Sequence, residues 1–438
     1  MTEPVTIVST ETPNRSPGPR RRWFRFLSCG LLLGLLLATA WWVSSVERSF
    51  SKGKLLLRQL REVEAEKELE KYLLLHARNP QAILLWAEAV LMGDSRSPVD
   101  AAKLALSRLA DIPDKSPLSG EARMREGRLA LLILNQPDRA ESLLSHSAAL
   151  DPDLADTHYL LWKLLDLTER FHDSGPHFWK LYELTPDASK PERLREWYIS
   201  QFSPISANAE LDRRMGFLRP DQAADNQTTL IRLKEFMWQE PQSPMVCAAL
   251  ASWLIDANER DDALLQLTRN GLSSEAFQNP HYVAAMVKVL IELGRLDEAK
   301  ASFVRWPQPL EGFLYWQTAG RFFEVVDRND KAAVEAYDKA LSVWPGPADW
   351  SIMHRKAQCL NRLGNREAAE TVRVEAKRIE LLMETEVHRT LRLAVLDLRN
   401  PNSLRQMVEF YQAIHCTREA KCWQNAFDRL PQNSATLY

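Results

Sequence analysis

Residues 316–323 read Trp-Gln-Thr-Ala-Gly-Arg-Phe-Phe, and this stretch decides the fold that the sequence predicts. It is typical of a helix, because a Trp, a pair of small residues and a Phe recur at three- and four-residue spacings. A turn follows at Asn329 and Asp330, and a second helical pattern then ends before a proline: Ala333, Tyr337, Ala340 and Pro345. Together they predict a helical hairpin whose small residues let the two helices approach closely.

The second half of this pattern recurs along the chain. Each copy has a small anchor residue, and another side chain of the same helix face follows four residues later. The anchors are Ala140, Ala263, Ala299, Ala333, Ala369 and Ala420. From Ala263 the anchors step by 36, 34 and 36 residues. Gly294 and Gly364 each precede an anchor by five residues, where glycine is a favoured helix stop. A fixed period of this length predicts stacked supersecondary units instead of one globular core.

The pattern resembles the tetratricopeptide repeat, whose helices carry W-x2-L-G-x2-Y and then A-x3-F-x2-A before a closing proline. Ala319 stands in the Leu position and Phe323 in the Tyr position. The resemblance covers most of residues 80–432, strongly in 245–380 and weakly in 187–240. It implies an all-α fold, an α-solenoid of helix hairpins.

Composition supports a folded helical chain. Gly is 15 of 438 residues, and 45% of the chain is apolar, which favours helices with a sizeable core over turn-rich β folds. The formal charge is −2, from 56 basic and 58 acidic side chains. This balance argues against nucleic acid as a partner, because a basic surface supplies that affinity.

The amino-terminal segment predicts one transmembrane helix. Residues 26–46 carry no charge and would make about 31 Å of helix, enough to cross the lipid bilayer. Aromatic residues stand at both ends, and four arginines precede the segment: Arg20, Arg21, Arg22 and Arg25. These features predict a cytoplasmic tail and an extracytoplasmic repeat domain. A second interpretation stays open, in which cleavage after Ala40 releases a secreted protein.

These signals divide the chain into six parts. They are a disordered tail (1–25), the transmembrane helix (26–46), a charged helical linker (47–79), amino-terminal repeats (80–186), degenerate helical repeats (187–244) and carboxyl-terminal repeats (245–438). The linker reads as one long helix over 54–76, with alternating charges on a solvated face. One extra helix is expected near residues 386–398, since Ala369 and Ala420 are 51 residues apart.

No signature of an enzyme is present. The sequence lacks G-x-G-x-x-G, G-x-x-x-x-G-K-[ST], H-E-x-x-H and G-x-S-x-G, and the repeats leave no room for a catalytic domain. We therefore predict no catalytic residue, no cofactor and no metal. His172 and His177 flank Gly175 and are interpreted as loop side chains. Cys416 and Cys422 straddle the predicted last helix turn, where either a disulfide or two unpaired thiols would fit.

The resemblance also implies a binding surface. In tetratricopeptide arrays the first helices line a concave groove, and their exposed side chains contact a bound peptide. Carried onto this sequence, the polar positions of that face are Lys288, Gln317, Arg321, His354, Gln358 and Asn361. Such a ladder can hydrogen-bond an extended peptide, although polar residues on an exposed helix face also serve solubility.

These observations predict a non-catalytic scaffold or adaptor, anchored in the bilayer through residues 26–46, that binds a partner protein or peptide at the cell envelope. Two other functions stay open. The chain could be a subunit that handles a glycan or lipid-linked substrate for an envelope enzyme complex, which would need an exposed Trp316 and Phe322. It could also contact a large complex through residues 187–240.

Overall fold

The computed structural model describes residues 41–168, 170–202, 228–269 and 274–430. Within these ranges every regular element is a helix, as the repeat pattern predicts. Residue contacts divide the chain into two units, Met1–Ile112 and Pro113–Tyr438. The predicted tail, and residues 26–40 of the predicted transmembrane helix, lie outside the described residues.

The first unit contains α1 (residues 41–58), α2 (Glu62–Leu73), α3 (Pro80–Met92) and α4 (Pro98–Leu109). The prediction of one long helix over 54–76 is wrong, because the chain turns at Leu60, whose φ of 55° is left-handed. Helices α1 and α2 then pack side by side, and Lys52 Nζ lies 2.6 Å from Glu68 Oε1. In the described part of the chain, no helix has both the length and the apolar character needed to cross a bilayer.

The second unit continues with twelve-to-seventeen-residue helices and a few shorter ones. They are α5 (Ser119–Leu132), α6 (Pro137–Leu150), α7 (Ala155–Leu167), α8 (Phe171–Leu184), α9 (Lys190–Gln201), α10 (Thr228–Gln239), α11 (Pro244–Asp256), α12 (Arg260–Thr268), α13 (Pro280–Glu292), α14 (Leu296–Phe303), α15 (Gly312–Val325), α16 (Asp330–Leu341), α17 (Trp350–Arg362), α18 (Arg366–Leu382), α19 (Thr385–Ala394), α20 (Pro401–Ala413) and α21 (Thr417–Asp428). Helix α19 lies where the sequence predicts an extra helix.

Local sequence signals fix where many of these helices begin. An Asn or Ser caps the first backbone N–H groups, and a proline follows at the first helical position, where its missing N–H costs nothing. This pair begins α3, α4, α11, α13 and α20: Asn79-Pro80, Ser97-Pro98, Ser243-Pro244, Asn279-Pro280 and Asn400-Pro401.

Small residues bring the paired helices together. The six anchor alanines are at most 5% exposed, so the repeat phase predicted from the sequence is right. Across the hairpin α15/α16, a Cβ added at Gly320 would lie 2.4 Å from the ring of Tyr337. A Cβ at Gly127 would lie 2.6 Å from Leu144 in the hairpin α5/α6. Close approach at these positions therefore requires glycine.

The middle of the second unit also packs against its end. In a simple repeat array each unit contacts only its neighbours, but here α9 packs on α21 and α6 on α11. Trp197 Nε1 donates to Glu419 Oε1 at 3.4 Å, and the Tyr198 hydroxyl lies 2.9 Å from His388 Nδ1. Burial of aromatic side chains across this contact offsets the cost of ordering two segments so distant in sequence.

Helix α8 differs from its prediction. His172 and His177 lie inside this helix and not in a loop, although the helix contains Gly175 and Pro176, which are poor helix formers. A proline at this depth removes one helical hydrogen bond. The helix persists because it buries Phe178 and Leu181 in the core. As a result, His172 is held on a helix, near the beginning of α8.

Candidate functional site

A cavity of about 480 Å³ lies in the second unit. It is lined mainly by the first helices of four successive hairpins, α11, α13, α15 and α17, together with the beginning of α8. Pockets of this size accommodate small ligands or a few residues of a chain. The cavity is therefore the place where side chains from separate repeats can act on one ligand.

The structure brings together three of the six predicted groove residues. Lys288, Gln317 and Arg321 all line the cavity. His354 does not, and its Nε2 lies 3.6 Å from Glu380 Oε2 on the neighbouring helix α18. Gln358 and Asn361 are exposed farther along α17 and do not line the cavity either. The predicted set is thus divided between the cavity and a separate exposed surface of α17.

Charges at the cavity are largely paired. Lys288 Nζ lies 2.7 Å from Asp256 Oδ1, one hairpin earlier. Gln317 Nε2 donates to Asp349 Oδ2 at 3.4 Å, one hairpin later. Because these pairs join successive first helices, the cavity wall is continuous from repeat to repeat. Its charged side chains are of both signs, so the cavity does not present a field of one sign.

The carboxylate of Glu324 holds three arginine side chains near the cavity. This carboxylate is only 8% exposed and accepts a 2.7 Å hydrogen bond from the Tyr337 hydroxyl. Three arginines also lie within 3.7 Å of it: Arg321, Arg355 and Arg362. Burial, assisted by this carboxylate, raises the pKa of Tyr337. The repeat pattern did not predict Tyr337 and Arg355 as cavity residues. It assigns Tyr337 to the core, and it gives Arg355 no special position.

Two histidines and one aspartate meet at the edge of the cavity. His281 Nε2 lies 2.8 Å from Asp173 Oδ2, and His172 Nε2 lies 3.6 Å from Asp173 Oδ1. Burial lowers the pKa of His172 to about 4. Burial by itself would raise the pKa of Asp173. The hydrogen bond with His281 and the nearby His172 outweigh the effect of burial and lower this pKa to about 2. These are side chains that can ligate a metal.

The aromatic residues required by a glycan-handling function do not face the cavity. Phe322 is buried, at 3% exposure. Trp316 is half-buried, and Lys339 Nζ covers its ring at 3.9 Å from the centroid. Neither residue lines the cavity, so the two aromatic side chains that this function would need are not available there.

Cys416 and Cys422 are free thiols, so the disulfide weighed from the sequence is not formed. They do not straddle the turn, because Cys416 immediately precedes α21 and Cys422 lies within that helix. Residues six apart on a helix point in widely different directions and are about 9 Å apart along its axis. A disulfide needs Cα atoms closer than about 7 Å, so this pair cannot be bridged without unwinding the helix.

No protein-family model and no curated protein matches this chain. Similar solved structures include the TPR domain of P58(IPK), which is 13% identical over 90% of this chain and 99% of that chain, with a TM-score of 0.25. The APC/C hetero-tetramer Cut9–Hcn1 is 13% identical over 89% and 97%, with a TM-score of 0.32. The human IFIT1 dimer with m7Gppp-AAAA is 16% identical over 88% and 90%, with a TM-score of 0.30. The helical-repeat fold described above rests on this chain's own hairpins.

Proposed function

We propose that this chain is a non-catalytic scaffold or adaptor that binds an extended segment of a partner protein in the cavity lined by α11, α13, α15 and α17. The proposal includes an extracytoplasmic repeat domain, held at the cell envelope by a membrane anchor at residues 26–46. The observation that carries it is the convergence of Lys288, Gln317 and Arg321, from two successive repeats, on one cavity.

The chemistry of the wall favours a polypeptide over a highly charged ligand. An extended peptide presents alternating N–H and C=O groups. The amide of Gln317 keeps a second N–H and its carbonyl oxygen for such a chain, and the hydroxyl of Ser351, which donates to Asp349 Oδ1, can still accept. Lys288 is paired with Asp256, so it adds little net positive charge. A nucleic acid would need unpaired cations along its phosphates.

Photo-crosslinking in the native membrane tests the cavity as the binding site. A photoreactive residue at Gln317 in α15 should form an adduct with one partner. The matched control is Glu335, which is exposed on α16 of the same hairpin and should form none. Equal adducts from both positions, or none from Gln317, would contradict binding in the cavity.

A second substitution separates specific binding from chance proximity. Lys288→Ala removes a cavity side chain whose partner, Asp256, is 70% exposed, so the fold should not change. It should weaken the adduct formed at Gln317, whereas Lys331→Ala on the exposed face of α16 should leave it intact. An adduct that survives Lys288→Ala unchanged would remove this residue from the site.

The membrane topology needs its own test, independent of the partner. Cysteines introduced at Val5 and at Lys103, an exposed position of α4, can be labelled with an impermeant maleimide in intact cells. Labelling at Lys103→Cys but not at Val5→Cys is expected for an anchored chain with its repeats outside. The reverse pattern would place the repeats in the cytoplasm, and loss of the amino-terminal segment from the mature protein would indicate cleavage near Ala40.

A further inference from the structure

We propose that His172, Asp173 and His281 bind a divalent transition-metal ion of the Zn²⁺ class at the edge of the cavity. The three side chains come from two helices that are 108 residues apart in sequence, where His281 Nε2 meets Asp173 Oδ2. One potential ligand atom from each residue lies within 4.8 Å of the others. Around a tetrahedral Zn²⁺, neighbouring ligand atoms are about 3.3 Å apart, so small side-chain rotations would complete the set.

The donor types favour this class of metal. Two imidazoles and one carboxylate suit Zn²⁺, Co²⁺ or Fe²⁺, whereas Ca²⁺ and Mg²⁺ prefer oxygen ligands alone. The charge at the site is also suitable. The guanidinium of Arg170, whose charge acts on His172 and Asp173, is held by the Glu141 carboxylate at 2.6 and 3.0 Å, so its positive charge is already compensated.

His172 Nε2 supplies an independent reason to expect a ligand. This atom is buried and has no hydrogen-bond partner among the described residues. Buried polar atoms are almost always paired, and an orphaned imidazole nitrogen facing an aspartate and a second histidine is the arrangement that a metal would complete. The side chains of His172 and His281 are only 13% and 14% exposed, whereas the carboxylate of Asp173 is 46% exposed.

The surrounding structure holds both histidines in position. Asn279 caps α13 by accepting a 2.9 Å hydrogen bond from the backbone N–H of His281. The ring of His172 packs against those of His281 and Phe313, at centroid distances of 5.2 and 5.9 Å. Ligands fixed in this way lose little freedom on binding an ion.

Such an ion would tie α8 to α13 and border the proposed partner site. Both histidines line the cavity, and three protein ligands leave at least one coordination position open. Water or a donor atom of the bound segment can occupy that position. The metal proposal does not depend on a partner, because the three ligands belong to this chain alone.

Cobalt titration of the full chain, stripped with a chelator, tests the site directly. One Co²⁺ per chain should produce saturable visible absorption bands, which Zn²⁺ should then abolish. Asp173→Asn and His281→Gln should each weaken binding by at least about 100-fold, because even supporting residues of a metal site contribute 10–100-fold. His146→Gln is the matched control. His146 Nε2 also lies 3.3 Å from an aspartate, Asp114, but its side chain is 45% exposed and does not line the cavity.

Absence of saturable Co²⁺ absorption bands in the wild-type protein would overturn the proposal. A loss of Co²⁺ affinity in His146→Gln as large as that in His281→Gln would also overturn it. Circular dichroism of each stripped variant checks that its helices are intact. If a variant does not fold, the wild-type chain still decides the outcome, because a bound ion should raise its melting temperature and protect His172 and His281 from diethylpyrocarbonate. Unprotected histidines in the metal-loaded protein would place the ion elsewhere.

Discussion

Replacing Gly320 with alanine tests the close approach on which the repeat hairpin depends. The added Cβ would lie 2.4 Å from two ring carbons of Tyr337. Ordinary contacts between carbon atoms are about 3.5–4.0 Å, so the ring or one helix must move by more than about 1 Å. Tyr337 is 1% exposed, and its hydroxyl is bonded to Glu324, so the ring has little freedom to rotate away.

The magnitude follows from two opposing effects. Overpacking in a well-packed core costs about 1–3 kcal/mol. Alanine favours a helix interior over glycine by about 0.5–1 kcal/mol, which offsets part of this cost. We therefore expect Gly320→Ala to lower the free energy of unfolding by about 1–2 kcal/mol.

Urea unfolding followed by circular dichroism measures this change. The control repeats the substitution in a Tyr337→Leu protein, where the ring is absent and the added methyl group has room. There, Gly320→Ala should be neutral or stabilising by up to about 1 kcal/mol, since only the helix preference remains. A loss of equal size in both backgrounds would refute the steric explanation, and so would an unchanged stability in the wild-type background.

Three other predictions concern separate parts of the second unit. Burial lowers the pKa of His388 from 6.5 to about 4, so between these values the unfolded chain binds a proton that the folded chain does not. Stability is therefore lost as the pH falls through this window, by roughly 1.4 kcal/mol per pH unit. Urea titrations should show a shallower loss for His388→Phe, and an unchanged slope would contradict this. Glu324→Ala should lower the free energy of unfolding by about 1–3 kcal/mol, because the buried Tyr337 hydroxyl loses its acceptor. Glu335→Ala on the exposed face of α16 should change it by less than about 0.5 kcal/mol. Equal effects in urea unfolding would refute this role of Glu324. Alkylation of the denatured, unreduced protein should modify both Cys416 and Cys422, and mass spectrometry that finds neither modified would indicate a disulfide.

The sequence predicted the hairpins well where the relevant contacts are local. The anchor alanines and the Gly320–Tyr337 approach lie within one repeat, so their helical spacing alone indicates which faces meet. The sequence prediction failed at Leu60, where a left-handed turn breaks an otherwise continuous helical pattern. It also failed at His172, where Gly175 suggested a loop. In both cases packing of apolar faces overrode the local preference.

The candidate site was predicted only in part for a related reason. Lys288, Gln317 and Arg321 occupy equivalent faces of neighbouring repeats, so the repeat phase places them together. Whether His354 lies in the same cavity depends on how far each hairpin rotates against the last, and this rotation is set by the shapes of buried side chains. A repeat pattern gives the phase of each helix but not this accumulated rotation.

The sequence by itself therefore determined that this chain is helical, that it is built of repeated hairpins, and which small residues those hairpins pack on. These properties follow from periodicity and sterics within about 35 residues. Only the tertiary structure decided that α9 packs on α21 and that His172 and Asp173 meet His281 across 108 residues. The physical reason is that such contacts depend on the stacking of all the intervening hairpins, which no local spacing encodes.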